Sequence, residues 1–123
     1  MHIILETADK HSIQAYSDAE IKINQNVYQH SLIVNAQQII ENWPVSHLQQ
    51  LNEDTILPFL QNNPRIIIIG QPQNGVLPSY SLIEFLSQRG IGIECMSIGA
   101  ACRTYNVLLS ERREVVLGII LGK

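Results

Sequence analysis

The stretch that decides the fold runs from Gly90 to Leu121 and reads GIGIECMSIGAACRTYNVLLSERREVVLGIIL. A short apolar segment, a loop of small and polar residues, a helical periodicity and a second apolar run follow one another. They predict a strand over 92–96, a helix over 100–110 and a strand over 114–121. A strand, a helix and a further strand in this order are typical of parallel strands joined by a crossover. The stretch therefore predicts an α/β fold.

The same pattern continues upstream of this stretch. Residues 65–70, RIIIIG, form a continuous β-branched run, as expected for a strand covered on both faces. A helix is predicted to start after Pro78 with a capping box of Ser81 and Glu84, and to end at Gly90. Together with the deciding stretch, these elements predict three mostly parallel strands packed by helices.

The first 43 residues follow a different period. Ile21 and Ile23 belong to one of several short segments in which apolar and polar residues alternate, and polar clusters such as 24–26 separate these segments. A period of two with such breaks predicts short antiparallel strands. One more strand is predicted over 38–43, where Trp43 is expected in the core.

The two halves are expected to form a single domain, residues 1–123, because this length can bury a core without disulfides or metals. The antiparallel strands occupy 1–43 and the α/β part occupies 52–123. A first helix is predicted from Asn52, whose side chain can cap the free amides, to about residue 62.

The charge and hydropathy of the chain argue against nucleic-acid binding and membrane insertion. Two basic residues accompany seven acidic ones in 1–64, and six accompany four in 65–123, so no dense basic face is expected. The longest apolar runs, such as 66–69, are much shorter than the roughly 20 residues that span a bilayer. The first residues lack the features of a secretory signal. We expect a cytoplasmic protein.

The ionisable side chains lack the spacing of a metal or catalytic site. Cys95 and Cys102 do not form a CxxC pair. The four histidines have no metal-ligand spacing, so surface or loop positions are expected for His2, His11, His30 and His47. We therefore predict no metal, no cofactor and no catalytic residues, and we favour a function other than that of an enzyme.

A candidate ligand site lies where the carboxyl ends of two predicted parallel strands meet, because such edges form crevices. The loops after Gly70 and Met96 meet there, and the third helix begins at the same place with free amides. An arginine and a threonine in its first turn could join these amides in holding a carboxylate or a phosphate. The candidate ligand-binding residues are Gly70, Ser97, Gly99, Cys102, Arg103 and Thr104.

A structural interpretation of the same residues is also open. Ser97 or Gly99 can end the loop, the small residues can allow close helix packing, and Arg103 can point to water. Cys102 has a position that favours its thiolate, but no histidine is tied to it as a base, so a buried inert thiol is favoured. Asn106 must be hydrogen-bonded if it is buried.

The turn of Glu111, Arg112, Arg113 and Glu114 is expected to be solvated, with local ion pairs that contribute little. In the alternative interpretation, Arg112 anchors the chain at the end of the sheet opposite the candidate ligand site. Both interpretations give the turn a structural role.

One motif resembles the signature of a small domain family of unsettled function. It comprises Glu94-x-Met96-x-x-x-Ala100-x-x-Arg103-Thr104-Tyr105-Asn106-x-Leu108-x-x-Glu111-x-Arg113-x-Val115. The family includes short bacterial and archaeal proteins, the adipogenesis-associated protein of animals and a mitochondrial assembly factor for respiratory complex I. The resemblance implies a three-layer α/β fold with additional antiparallel strands, and it brings no cofactor. The chain departs from the family at Gly70-Gln71-Pro72, where a Gly-x-Gly is frequent, and at Ile98, where a threonine is common.

Three hypotheses about function follow. The leading one is a non-enzymatic protein-interaction or assembly module with a protein partner, in agreement with the resemblance. The second is a small anionic-ligand binder or an enzyme with its site at the loop after Met96. In the third, an exposed edge strand of the antiparallel half forms a homodimer interface.

Overall fold

The computed structural model describes residues 11–72 and 77–121, and its largest element is a five-stranded sheet with the order β5-β4-β8-β6-β7. Strand β6 pairs in parallel with both β7 and β8, which confirms the three-stranded parallel core. Strand β4 pairs antiparallel with β8 and with β5, so part of the N-terminal half extends the same sheet. The five strands are β4 (Leu32–Val34), β5 (Ile39–Ile40), β6 (Ile66–Gln71), β7 (Gly92–Ser97) and β8 (Val115–Ile119).

A second, three-stranded antiparallel sheet consists of β1 (Ala15–Tyr16), β2 (Ile21–Ile23) and β3 (Asn26–Tyr28). The alternation predicted for β2 is confirmed, because Ile21 and Ile23 are both fully buried. Strand β3 was not predicted, because residues 24–26 have the pattern of a polar break. Asn24 and Gln25 instead have φ values of 51° and 71°, the left-handed pair of a tight hairpin turn, and Asn26 pairs with Ile23.

The strand predicted over 38–43 is shorter than expected. Only Ile39–Ile40 pair with β4. Asn42 has a φ of 56°, which no extended strand accommodates, and the amide of Trp43 then donates to the carbonyl of Ser31 at 2.9 Å. The left-handed residue therefore ends β5 and turns the chain into the core.

Trp43 lies in the core, as predicted. Its indole packs edge-on against Phe59, with ring centroids 5.0 Å apart, and its Nε1 donates to the carbonyl of Thr55 at 3.0 Å. The apolar ring is thus packed in the core, and its single N–H donor is hydrogen-bonded.

The first helix begins at the predicted cap and ends earlier than predicted. The Asn52 side chain accepts from the amide of Thr55, and the Thr55 hydroxyl accepts from the amide of Asn52, both at 2.9 Å. Helix α1 spans only Glu53–Ile56 and continues as a 3-10 helix over Leu57–Leu60. Pro58 has no amide hydrogen for an α-helical bond to residue 54, which accounts for the early end.

Helix α2 (Tyr80–Ser87) connects β6 to β7 and has a different cap from the predicted one. The hydroxyl of Ser79, not that of Ser81, accepts from the amide of Leu82 at 3.2 Å. Gly90 follows the helix with a φ of 73°, the left-handed conformation expected of a glycine that closes a helix.

Helix α3 (Ile98–Ser110) connects β7 to β8 and starts two residues before the predicted position. It lies with the small sheet on one face of the five-stranded sheet, against Ile68 and Leu117. Helices α1 and α2 cover the other face, against Ile67 and Val116. The alternation of side chains along the strands therefore gives two apolar clusters and the three layers that were expected.

Candidate functional site

The carboxyl ends of β6 and β7 lie side by side. Gly70 pairs with Met96, and Gln71 pairs with Ser97 at the start of α3. The residues of the sequence-predicted site therefore surround one sheet edge and the first two turns of one helix. We refer to this region as the Arg103 edge, which comprises Gly70, Ser97, Gly99, Cys102, Arg103 and Thr104.

Gly70 lies beneath α3. A β-carbon added at this position would be 2.8 Å from the Cβ of Ala101 and 3.3 Å from the Cα of Ile98. These distances are shorter than van der Waals contact, so the glycine allows the helix to lie directly on the sheet. The space that a ligand would need above Gly70 is filled by the helix.

Both hydroxyls of the Arg103 edge make local contacts. The Ser97 hydroxyl accepts from the amide of Ala100 at 3.3 Å and is the N-cap of α3. The Thr104 hydroxyl donates to the sulfur of Met96 at 3.6 Å. One free amide of the helix start is thus already paired within the chain.

Arg103 points to the surface, where it meets a residue that the sequence analysis did not select. Its Nη1 donates to the hydroxyl of Tyr16 at 2.7 Å. A β-carbon on Gly99 would lie 3.0 Å from Cε1 of the same tyrosine ring. Strand β1 therefore lies over the first turn of α3. No local signal could have predicted this contact, because 87 residues separate the two partners.

Cys102 is a buried thiol whose side chain is only 1% exposed. Burial raises the pKa of Cys102 from 9.0 to about 12, and the nearby Arg103 charge lowers it only in part. The buried inert thiol favoured from the sequence agrees with this position, because desolvation outweighs the effect of the Arg103 charge that would favour the thiolate. Cys95 is half-buried, and burial together with the Glu94 charge raises its pKa to about 11.

The histidines divide into buried and exposed positions. His11 lies in the turn before β1, as a loop position would have it, but it is buried and not on the surface, and its Nδ1 lies 2.7 Å from the carbonyl oxygen of Asn35. His30 and His47 are exposed, and His2 lies outside the described residues. Within residues 11–72 and 77–121, no three His, Cys, Asp or Glu side chains come together as metal ligands.

A groove that the sequence analysis did not select lies at the opposite edge of the sheet, before the amino ends of β6 and β8. It has a volume of about 470 Å3, and its walls include Asn35, Arg112 and Arg113. The turn that carries these arginines was expected to be a solvated connection. We refer to this cavity as the Arg112 groove.

None of the helices in the described part of the chain is both long enough and apolar enough to cross a bilayer. The longest of them, α3, has 13 residues, against the roughly 20 that a spanning helix needs.

Comparison with known proteins supports the resemblance seen in the sequence. The profile of a family described as "Protein of unknown function (DUF498/DUF598)" matches residues 13–120. A Francisella tularensis protein named "13 kDa major membrane protein" is 31% identical over 106 residues, which cover 85% of this chain and 86% of the relative.

Two further relatives extend the comparison. A Drosophila melanogaster protein named "NADH dehydrogenase (ubiquinone) 1 alpha subcomplex assembly factor 3" is 28% identical over 112 residues. The match covers 88% of this chain and 57% of the fly protein, so the chain spans little more than half of that relative. An NMR structure of a Xanthomonas campestris protein has a TM-score of 0.83 and 37% identity, and the match covers 91% of this chain and 85% of that one.

Proposed function

Since this chain belongs to the DUF498/DUF598 family of proteins of unknown function, we propose that it is a non-enzymatic protein-interaction or assembly module. The fly relative named as an assembly factor supports an assembly role, and respiratory complex I, an NADH dehydrogenase, is the first complex to test. A cytoplasmic location is part of the proposal.

The chemistry of the Arg103 edge supports binding rather than catalysis. The Ser97 and Thr104 hydroxyls are engaged in local contacts, and Cys102 is buried and protonated at neutral pH. A cysteine or serine nucleophile needs a base within hydrogen-bond reach. The buried histidine of the described residues, His11, does not supply such a base, because its Nδ1 is hydrogen-bonded to the backbone carbonyl of Asn35.

The observation that carries the proposal is an exposed apolar stripe at the start of α2, formed by Leu77, Tyr80 and Ile83. Tyr80 and Ile83 lie on the helix and are 78% and 38% exposed, and Leu77, in the segment before the helix, is 75% exposed. Because Tyr80 and Ile83 are three residues apart on a helix, their side chains lie close to one another at its surface. Adjacent exposed apolar side chains of this size are typical of protein-interaction sites, and aromatic residues are enriched there.

The surroundings of the stripe indicate the chemistry of its partner. A groove of about 420 Å3 lies between the starts of α1 and α2, and Glu53, Asp54, Ser79 and Ser81 line it. An acidic rim beside an apolar stripe is complementary to an apolar segment flanked by lysine or arginine. The proposed partner is a protein that presents such a segment.

Site-specific photo-crosslinking in cells that make the protein tests this proposal. A photoreactive phenylalanine analogue at Tyr80 should capture one reproducible partner, whose crosslinked peptide is apolar with flanking basic residues. The same analogue at Val107, which is 55% exposed on α3, should not capture it. Tyr80→Lys should abolish recovery of the partner, and Val107→Lys should leave it unchanged. Equal capture at both positions, or no reproducible partner at Tyr80, would contradict the proposal.

Two further measurements test the finer parts of this proposal. Deletion of the gene should lower the level of assembled respiratory complex I, and an unchanged level would rule out that complex as the target. Cell fractionation should recover the protein with the cytoplasm. Recovery with membranes after a high-salt wash would contradict the location.

A second candidate function is anion binding at the Arg103 edge, and the exposed Arg103 guanidinium favours it. Together with the Tyr16 hydroxyl at 2.7 Å and the start of a 13-residue helix, it could hold a carboxylate or a phosphate. Thermal-shift measurements with phosphate, carboxylates and nucleotides should then show stabilisation that Arg103→Ala removes. A flat response would rule this function out.

A homodimer through an exposed edge strand is a third candidate. Strands β1 and β3 are the outer strands of the three-stranded sheet, and Val27 in β3 is 51% exposed. Such an edge can pair with a second copy. Light scattering should then give twice the chain mass of 13.9 kDa, and the mass of one chain would exclude the dimer.

A further inference from the structure

The Arg112 groove has the features of a small-molecule site at the edge of the sheet opposite Arg103. Its walls come from three connections: the turn between β4 and β5, the residues before β6, and the turn between α3 and β8. Its volume of about 470 Å3 lies within the range of small-ligand pockets. Neither the family profile nor the names of the relatives assign a role to it.

Arg112 occupies a backbone position that favours glycine. Its amide donates to the carbonyl of Leu109, and the amide of Arg113 donates to the carbonyl of Leu108, both at 3.0 Å. These two bonds form the Schellman motif that ends α3, and Arg112 has the left-handed φ of 63° that the motif requires. A side chain at this position costs free energy, so a role for the arginine itself would account for its presence.

The positive charge in the groove is poorly neutralised. No group in 11–72 or 77–121 accepts a hydrogen bond from the Arg112 guanidinium. Among the described residues, Arg113 has one ionic contact, to Glu111 at 3.8 Å, and both of those side chains are more than half exposed. Such a pair contributes little. Of the described residues in the groove wall, two are arginines and only Glu114 is acidic, so the wall has an excess of positive charge.

Asn35 supplies a further donor that lacks a partner. The residue lines the groove and is only 8% exposed. Its Oδ1 accepts from the amides of Gln37 and Gln38 at 2.8 and 2.9 Å, which fixes the orientation of the carboxamide. Its Nδ2 donates to no group in the described part of the chain. Buried polar groups are nearly always paired, so this donor points to an acceptor supplied by a ligand.

The apolar residues of the groove wall indicate the chemistry of the uncharged part of that ligand. Pro64, Leu109 and Val115 line the groove and are themselves buried. We propose that the Arg112 groove binds a small organic anion, in which Arg112, Arg113 and the Asn35 Nδ2 hold a carboxylate or phosphate group and a short hydrocarbon part packs on this apolar wall.

The test uses the full chain and three probes: inorganic phosphate, butyrate and monobutyl phosphate. Butyrate, monobutyl phosphate or both should raise the melting temperature in proportion to the logarithm of concentration and shift the Asn35 side-chain amide resonance. Stronger binding of butyrate would assign a carboxylate, and stronger binding of monobutyl phosphate would assign a phosphate ester. No stabilisation and no resonance shift with any probe would overturn the proposal, and inorganic phosphate binding as tightly as monobutyl phosphate would overturn the apolar part of it.

Variants separate this site from other sources of stabilisation. Arg112→Gly keeps the backbone conformation and removes the guanidinium, so the affinity should fall roughly tenfold or more. Asn35→Asp keeps the acceptor of the turn, removes the donor and should also weaken binding. Lys22→Ala removes an exposed positive charge from β2 of the separate three-stranded sheet, so it is the matched control and should bind the probe as the unsubstituted chain does. Unchanged affinity in Arg112→Gly, or an equal loss in Lys22→Ala, would contradict the proposal.

Discussion

Asn106 pairs with the backbone of Ile13 as a neighbouring strand would. Its Oδ1 accepts from the amide of Ile13 at 2.8 Å, and its Nδ2 donates to the carbonyl of the same residue at 2.9 Å. The hydroxyl of the adjacent Tyr105 donates to the carbonyl of His11 at 3.1 Å. Two polar side chains of α3 thus fix the segment that leads into β1, and the partly buried Asn106 is hydrogen-bonded, in agreement with the expectation for a buried asparagine.

We expect Asn106→Leu to destabilise the protein by about 2 kcal/mol, because two partly buried backbone groups of Ile13 lose their partners. Urea denaturation measures the change, and hydrogen exchange of the Ile13 amide should accelerate. The neighbouring Val107→Ala is the control, since Val107 is exposed and should change stability by less than about 0.5 kcal/mol. Equal effects of the two substitutions would contradict this role of Asn106.

Gly70→Ala should destabilise the protein by about 1–3 kcal/mol, because the new methyl group would lie 2.8 Å from the Cβ of Ala101. Gly92→Ala in the adjacent strand is the control, since nothing lies within 4 Å of a β-carbon there. Denaturant titrations compare the two, and the double variant with Ala101→Gly should lose less stability than the sum of the two single losses, because the contact at 2.8 Å is then absent. If Gly70→Ala were harmless, helix α3 could not lie as close to the sheet as described.

Arg112→Gly should be more stable than Arg112→Ala by about 1 kcal/mol, because only glycine adopts the φ of 63° at the end of α3 without steric cost. Both substitutions remove the guanidinium, so the difference between their free energies of unfolding isolates the cost of the left-handed backbone conformation. Thermal and urea unfolding provide the measurement. Equal stability of the two variants would show that the left-handed position carries no strain.

Cys102 should react slowly with a disulfide reagent at pH 8, because its pKa of about 12 leaves almost no thiolate. In a Cys95→Ala background, Cys102 is the one remaining thiol and its reaction can be followed directly. Unfolding with denaturant should make this reaction fast. Reaction at the same rate in the folded and the unfolded chain would contradict the burial of this thiol.

The same pKa predicts how stability depends on pH. Below pH 9 the thiol keeps its proton in both the folded and the unfolded chain, so it contributes no pH dependence. Between pH 9 and about 12 the unfolded chain loses the proton first, and stability falls as pH rises. In the Cys95→Ala background, Cys102→Ala should reduce this fall. An unchanged slope would show that Cys102 does not cause it.

Elements that differ from their prediction do so for local physical reasons. Strand β3 was missed because Asn24 and Gln25 are polar in either interpretation, and only their positive φ values distinguish a hairpin turn from a break. Pro58 shortened the first helix. At the candidate site, the neighbours of Cys102 along the chain indicate only the charge that favours a thiolate, whereas desolvation by the fold decides its pKa and gives the inert thiol that was favoured.

Sequence alone determined the identity and order of most elements, because apolar periodicity, caps such as Asn52 and the closing Gly90 act between residues that are close along the chain. Tertiary structure decided what the functional side chains meet. Arg103 contacts Tyr16, and Asn35 and Arg112 line one groove, although many residues separate the partners in each pair. Such contacts depend on the strand order and on the layer above each strand, which local pattern does not encode.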